Sequence, residues 1–260
     1  MKIKFLACIL CLFLTVVGGG TAYKIYNHEK LQNNKISSLI GEMAELKFRQ
    51  KKQTDYYLYD IKWGDGYNYL AIGNSLTLIE GDWGRGICST LPDNDYFGLV
   101  KKYLNEHKTG PVTTHRFNYY VWETAKNRDS VLDLADSYIS DKLDLVTIQL
   151  GENVYDFSSY KDDLKKLVLY IQSKAPKAKI IIIDDFWNDK TSIQRKETAE
   201  DLNIAFADLK SIRGNKSYQS REGVIVKKTN GGEMSVPKEA ETHPNDNGFK
   251  YIADKIISLL

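Results

Sequence analysis

Three residues of this chain have the types and settings that ester chemistry requires, and they lie far apart in sequence. Ser75 ends the apolar run of Tyr69-Leu-Ala-Ile-Gly-Asn-Ser-Leu-Thr77. A strand breaking into a Gly-Asn-Ser turn leaves a serine at its carboxyl end, where open α/β sheets gather their chemistry. A serine hydroxyl is a weak nucleophile until a neighbouring base takes its proton. His243, in Thr242-His-Pro-Asn-Asp-Asn-Gly248 just ahead of the last helical pattern, is the best-placed base. The other histidines suit the task less: His28 lies in a polar stalk, His107 ends a polar helix and His115 sits inside a strand pattern. Asn153 closes a second apolar strand in Gly151-Glu-Asn153, and its side-chain amide is a donor suited to a developing oxyanion. Cys88, the only cysteine beyond Cys8 and Cys11 of the N-terminal apolar run, reads as a buried, inert thiol. No histidines or carboxylates stand at metal-ligand spacing, so neither a metal nor another cofactor is expected.

Serine, asparagine and C-terminal histidine in that order resemble the SGNH (GDSL-like) hydrolase superfamily, from residue 66 to 260. The family's Gly-Asp-Ser-Leu is here Gly73-Asn74-Ser75-Leu76, its Gly-x-Asn-Asp is Gly151-Glu152-Asn153-Val154, and its Asp-x-x-His is Ala240-Glu241-Thr242-His243. Ordered matches at the ends of predicted elements weigh more than any one motif. Gly81-Asp-Trp-Gly84, Asn118-Tyr-Tyr-Val-Trp-Glu123 and Asp184-Asp-Phe-Trp187 are similar to segments of a bacterial branch of that superfamily. The resemblance implies Ser75 as nucleophile, His243 as base, and an oxyanion hole from the Ser75 N–H, the Asn153 amide and a second-block glycine N–H.

Two departures follow. The segment Phe117-Asn-Tyr-Tyr-Val-Trp-Glu123 has no glycine, so the third donor is assigned to Gly84, with Gly86 or a backbone amide near Tyr119 as alternatives. Ala240 stands where the family has its triad aspartate, and an alanine side chain cannot orient or stabilise an imidazolium. Asp185, at the end of a strand, is taken as the replacement acid. Asp184, Glu239, Glu241 and a Ser-His dyad oriented by a carbonyl remain open.

The elements that must position these residues follow from periodicity. Strands are expected at 67–73, 111–117, 144–150 and 178–184, and helices at 95–107, 128–140, 159–174, 192–212 and 246–259. Leu164, Leu167, Val168 and Ile171 share one helical face, as do Phe249, Ile252, Ala253, Ile256 and Leu260. Strand-helix alternation implies an α/β fold, and with the resemblance a three-layer α/β/α domain on a flavodoxin-like parallel sheet. Ile180-Ile-Ile-Ile183 reads as a strand buried on both faces. Val224-Ile-Val226 with the turn Asn230-Gly-Gly232 reads as a small hairpin. Trp83, Trp122 and Trp187 are expected to crowd one face of the sheet near the pocket.

At 260 residues the chain accommodates one α/β domain plus a leader. Lys2 and Lys4 precede an uncharged run from Phe5 to Tyr23. Residues 1–23 are read as an N-terminal membrane anchor or, alternatively, a cleaved signal peptide, with the N-terminus cytoplasmic and the remainder exported. Residues 24–65 carry Ile36, Leu39, Ile40, Met43 and Leu46 at helical spacing and form a polar helical stalk or linker. Residues 66–260 form the hydrolase-like domain. A net charge of +2 with both signs interspersed excludes the field that nucleic acid binding needs. The expected function is an extracytoplasmic serine esterase on the cell membrane acting on an acylated glycan or small ester, with glycan deacetylation the leading case. An O-acyltransferase and a lapsed carbohydrate-binding hydrolase are the alternatives.

Overall fold

Five parallel strands, with β-branched residues densest in the third and fourth, form the sheet: β1 (Tyr67–Gly73), β2 (Val112–Asn118), β3 (Leu145–Gln149), β4 (Lys179–Ile183) and β5 (Ala205–Ala207). Their order is β2-β1-β3-β4-β5, the flavodoxin-like order whose switch point lies where the connections reverse direction, beside β1. These positions come from a computed structural model, which describes residues 61–79 and 83–260 together with scattered helical positions between His28 and Lys47. The expected anchor at 1–23 falls outside the described residues. No helix among the described residues is long and apolar enough to cross a membrane.

Alternation of side chains along each strand builds two cores. Leu70, Ile72, Val146, Ile148, Ile180 and Ile182 face one side and pack with α3 (Tyr160–Lys174) and α4 (Asp189–Asp201). Tyr69, Ala71, Leu145, Ile181 and Ile183 face the other, against α1 (Tyr96–His107) and α5 (Asp246–Ile257). The fold is therefore the three-layer α/β/α arrangement that the sequence resemblance implies. A short helix, α2 (Tyr120–Thr124), follows β2, and a 3-10 helix spans Arg128–Ala135 where a longer helix was expected.

The helix expected over 192–212 is interrupted. α4 ends at Asp201, Asn203 takes a positive φ of 52°, and the chain re-enters the sheet as β5. The hairpin is present as β6 (Ile225–Lys227) and β7 (Glu233–Ser235), paired antiparallel. It forms a third cluster in which Trp83, Cys88, Val226, Val236 and Ala240 are buried together. Ile36, Leu39, Ile40, Met43 and Leu46 are helical as expected, and all five are exposed.

Candidate active site

The turn after β1 is built by close backbone approach. A Cβ on Gly73 would stand 1.8 Å from Thr77 Oγ1, so only glycine lets the chain fold back there. The Asn74 carbonyl then accepts from the N–H groups of Thr77 and Leu78, both at 2.9 Å. Ser75 is left half-buried at the end of the strand. Its backbone N–H has no acceptor among the described residues.

His243 reaches Ser75 from the far end of the chain. Its Nε2 lies 3.2 Å from Ser75 Oγ. The loop is held on three sides: Ser220 N–H donates to the His243 carbonyl at 2.7 Å, Asn245 caps α5 by accepting from Gly248 N–H at 3.0 Å, and Trp187 Nε1 donates to the Thr242 carbonyl at 3.0 Å. The Trp187 ring meets the imidazole edge-on, with centroids 5.1 Å apart. His243 Nδ1 lies 3.2 Å from the Ala240 carbonyl. A carbonyl only accepts, so Nδ1 carries the hydrogen and Nε2 presents its lone pair to the serine. Burial lowers the His243 pKa to about 4, against the opposing pull of that carbonyl.

Asp185, expected as the acid, is not bonded to the ring. Its Oδ1 accepts from the N–H groups of Trp187 and Asn188 at 2.7 and 2.8 Å, and its Oδ2 from Thr191 Oγ1. The reason is local: an aspartate side chain readily accepts from N–H groups two and three residues on, closing a turn, and Asn188 rather than Asp185 caps the following helix. Asp184 is engaged likewise by Leu209 N–H and Arg213. Glu239 is exposed and Glu241 half-buried, and neither has a hydrogen bond to His243. Among the candidates weighed from sequence, the carbonyl-oriented pair is the one the geometry matches. The Ala240 carbonyl also receives Cys88 Sγ–H at 3.3 Å. Burial pushes that thiol up to about 12, so it remains a protonated donor.

Gly84, expected as the third donor, has no hydrogen bond to Ser75 among the described residues. It packs against Thr229 near the β6-β7 hairpin, where an added Cβ would come 2.8 Å from Thr229 Cγ2. The alternatives are spent: Gly86 N–H donates to Asp95 at 2.7 Å, Tyr119 N–H to the Gly73 carbonyl at 2.7 Å, and Tyr120 N–H to Asn118 at 3.0 Å. Of the three tryptophans, Trp187 alone meets the site. Trp122 is fully buried, its ring edge-on to Tyr160, and Trp83 belongs to the hairpin cluster.

A group of residues without a role in the sequence reading lies directly behind Asn153. Glu123 on α2 is buried. It accepts from Asn74 Nδ2 (3.0 and 3.1 Å), from Asn153 Nδ2 (2.8 Å) and N–H (3.3 Å), and from Gly151 N–H. Asn74 Nδ2 also donates to Glu152 at 2.8 Å, and Arg195 lies 2.9 Å from Glu152. Burial raises the Glu152 pKa to about 7 despite Arg195, and raises that of Glu123 despite its donors. The sequence signal was a lone glutamate beside a tryptophan in the apolar Tyr120-Val-Trp-Glu-Thr124 segment.

No protein-family model matches the sequence. No curated protein matches it either. Solved structures do. A two-domain esterase active on acetylated mannans superposes with a TM-score of 0.50 at 17% identity, over 82% of this chain and 52% of that one. A salicylyl-acyltransferase from a tetracycline biosynthetic pathway gives 0.50 at 16% identity, over 76% and 55%. Phospholipase A1 from Streptomyces albidoflavus NA297 gives 0.49 at 12% identity, over 75% and 100%. The chain thus spans about half the length of the first two. At these identities the likeness is one of fold, the SGNH-type α/β fold.

Proposed function

We propose that the chain is a serine esterase working through an acyl-enzyme. The observation that carries this is the Ser75–His243 contact, with His243 held as the Nδ1–H tautomer by the Ala240 carbonyl. In this reading Ser75 Oγ attacks the ester carbonyl carbon as its proton passes to His243 Nε2. The oxyanion is stabilised by the Ser75 N–H and the Asn153 amide, donors worth about 3 kcal/mol each. Collapse expels the alcohol, which takes the proton from His243. Water, deprotonated by the same nitrogen, then releases the carboxylic acid and restores Ser75.

For the substrate we favour an acetyl ester on a surface glycan. Support comes from Trp187, partly exposed beside His243, where an indole face suits a sugar ring. The apolar run before residue 24 supports an extracytoplasmic, membrane-associated domain. That this fold also carries an esterase active on acetylated mannans is compatible with the reading.

The test is turnover of p-nitrophenyl acetate together with fluorophosphonate labelling. Wild-type protein should do both, and Ser75→Ala neither. Absence of both in folded wild-type protein would leave the lapsed, carbohydrate-binding reading. Transfer of acetyl to an added sugar in preference to water would establish the acyltransferase.

A further inference from the structure

An oxyanion donor is useful only if it is fixed before the charge develops. A primary amide such as that of Asn153 has two N–H bonds and rotates about its terminal torsion unless one is held. Here one is held: Asn153 Nδ2 donates to Glu123 at 2.8 Å. That leaves the second N–H free for substrate. The same carboxylate takes the backbone N–H groups of Asn153 and Gly151. Gly151 has a φ of +132°, and a Cβ there would come 2.3 Å from Tyr160 Oη. Glu123 therefore fixes both the side chain and the turn that presents it.

We infer that Glu123 is the positioning residue of the oxyanion hole, and that Asn74 is its reciprocal partner. Among the described residues, every group hydrogen-bonded to the Glu123 carboxylate is a donor: Asn74 Nδ2, Asn153 Nδ2, and two backbone N–H groups. While residue 74 is one of the donors, only a carboxylate, with acceptors on both oxygens, satisfies that set. Asn74, where the motif that this segment resembles has aspartate, offers one amide nitrogen to Glu123 and Glu152 together. An aspartate at 74 would place a third carboxylate against two. An amide thus stands in the serine turn, and the acid that meets it is on α2. This inference rests on the esterase reading above.

The test is steady-state kinetics on p-nitrophenyl acetate. Glu123→Gln puts a donor among donors, so kcat should fall about a hundredfold, the loss typical of one oxyanion donor, with KM little changed. Asn74→Asp should also lower kcat. The exchange variant Asn74→Asp/Glu123→Gln returns one acid and one amide to the pair and should recover much of the loss. A residue that only supports the fold would show no such rescue. In an Asn153→Ala background, Glu123→Gln should cost nothing further. Folded Glu123→Gln with wild-type kcat, or additive losses with Asn153→Ala, would overturn the inference while leaving the esterase standing. Inactive wild-type protein would instead remove the esterase reading. A measurement without substitution guards against misfolded variants: nitrogen-15 NMR of the wild type should show one Asn153 side-chain amide hydrogen protected from exchange. Two freely exchanging hydrogens would overturn it.

Discussion

In the proposed mechanism His243 serves as a base only while Nε2 carries its lone pair, so the pH at which it gains a proton sets the acid limb of activity. Burial brings that pKa down to about 4, and kcat/KM should hold its plateau through pH 6 and fall only below about pH 4. A pH-rate profile checks this, and an acid limb near 6.5 would mean that the imidazole is solvated as an ordinary histidine. The carbonyl of Ala240 has a cost, since a neutral oxygen stabilises the imidazolium less than a carboxylate does. Asp185, whose oxygens serve Trp187, Asn188 and Thr191, gives a contrasting expectation. Asp185→Asn should cost stability, about 1–3 kcal/mol for unpaired buried groups, and reduce turnover far less than Ser75→Ala. Urea unfolding read beside turnover separates the two effects. From sequence, Ser75, Asn153 and His243 were legible because each sits at an element end in a recognisable motif. The histidine's partner was not, because a backbone carbonyl leaves no trace in residue type. Glu123 was hidden for another reason: its donors come from segments flanking residues 74 and 151, and only the fold joins them.

At the scale of elements, the β6-β7 hairpin explains why no acid stands at position 240. Ala240 is buried among Trp83, Cys88, Val226 and Val236, so its side chain belongs to an apolar cluster while its carbonyl serves the histidine. Ala240→Asp should therefore not rebuild a triad. It should destabilise the protein by about 3 kcal/mol or more through an unpaired buried carboxylate, seen as a lower urea midpoint with no gain in kcat. A faster, equally stable variant would show that the side chain turns toward the ring. Strands β1, β3 and β4 were readable because their apolar runs are bounded by turn residues, and β2, half-buried and mostly polar, through the β-branched Val112-Thr-Thr114 after Gly110-Pro111. β5 was not, since three residues of Ala205-Phe-Ala207 carry too little pattern to separate them from the helical periodicity before them. Its place is set by pairing with Ile181, Ile182 and Ile183 of β4, a tertiary effect that overrides local propensity.

Over the whole molecule, the buried acids behind the site tie stability to pH. Glu152 holds its proton up to about pH 7 in the folded chain, against an ordinary 4.5. The folded state thus binds this proton more tightly than the unfolded one. The contribution is complete below 4.5 and is lost as pH rises through 7, a change of about 3 kcal/mol. The stability difference between wild type and Glu152→Gln should therefore shift by that order, in favour of the variant, between pH 4 and pH 8. Urea titrations at the two values measure it, and a pH-independent difference would show that Glu152 titrates alike in the folded and unfolded chain.

Ser75 and His243 are separated by 168 positions, and this has a consequence for how the protein comes into being. Contacts this distant close late, because the chain must first lose the entropy of the intervening loop. The histidine stands just ahead of α5, whose Phe249, Ile252, Ala253 and Ile256 dock against the sheet and α1. A chain emerging from the ribosome therefore carries Ser75 long before His243. On the proposed esterase mechanism such a chain is chemically silent until its last helix seats, so a fluorophosphonate added during refolding should report completion of the fold, with label appearing no earlier than burial of α5.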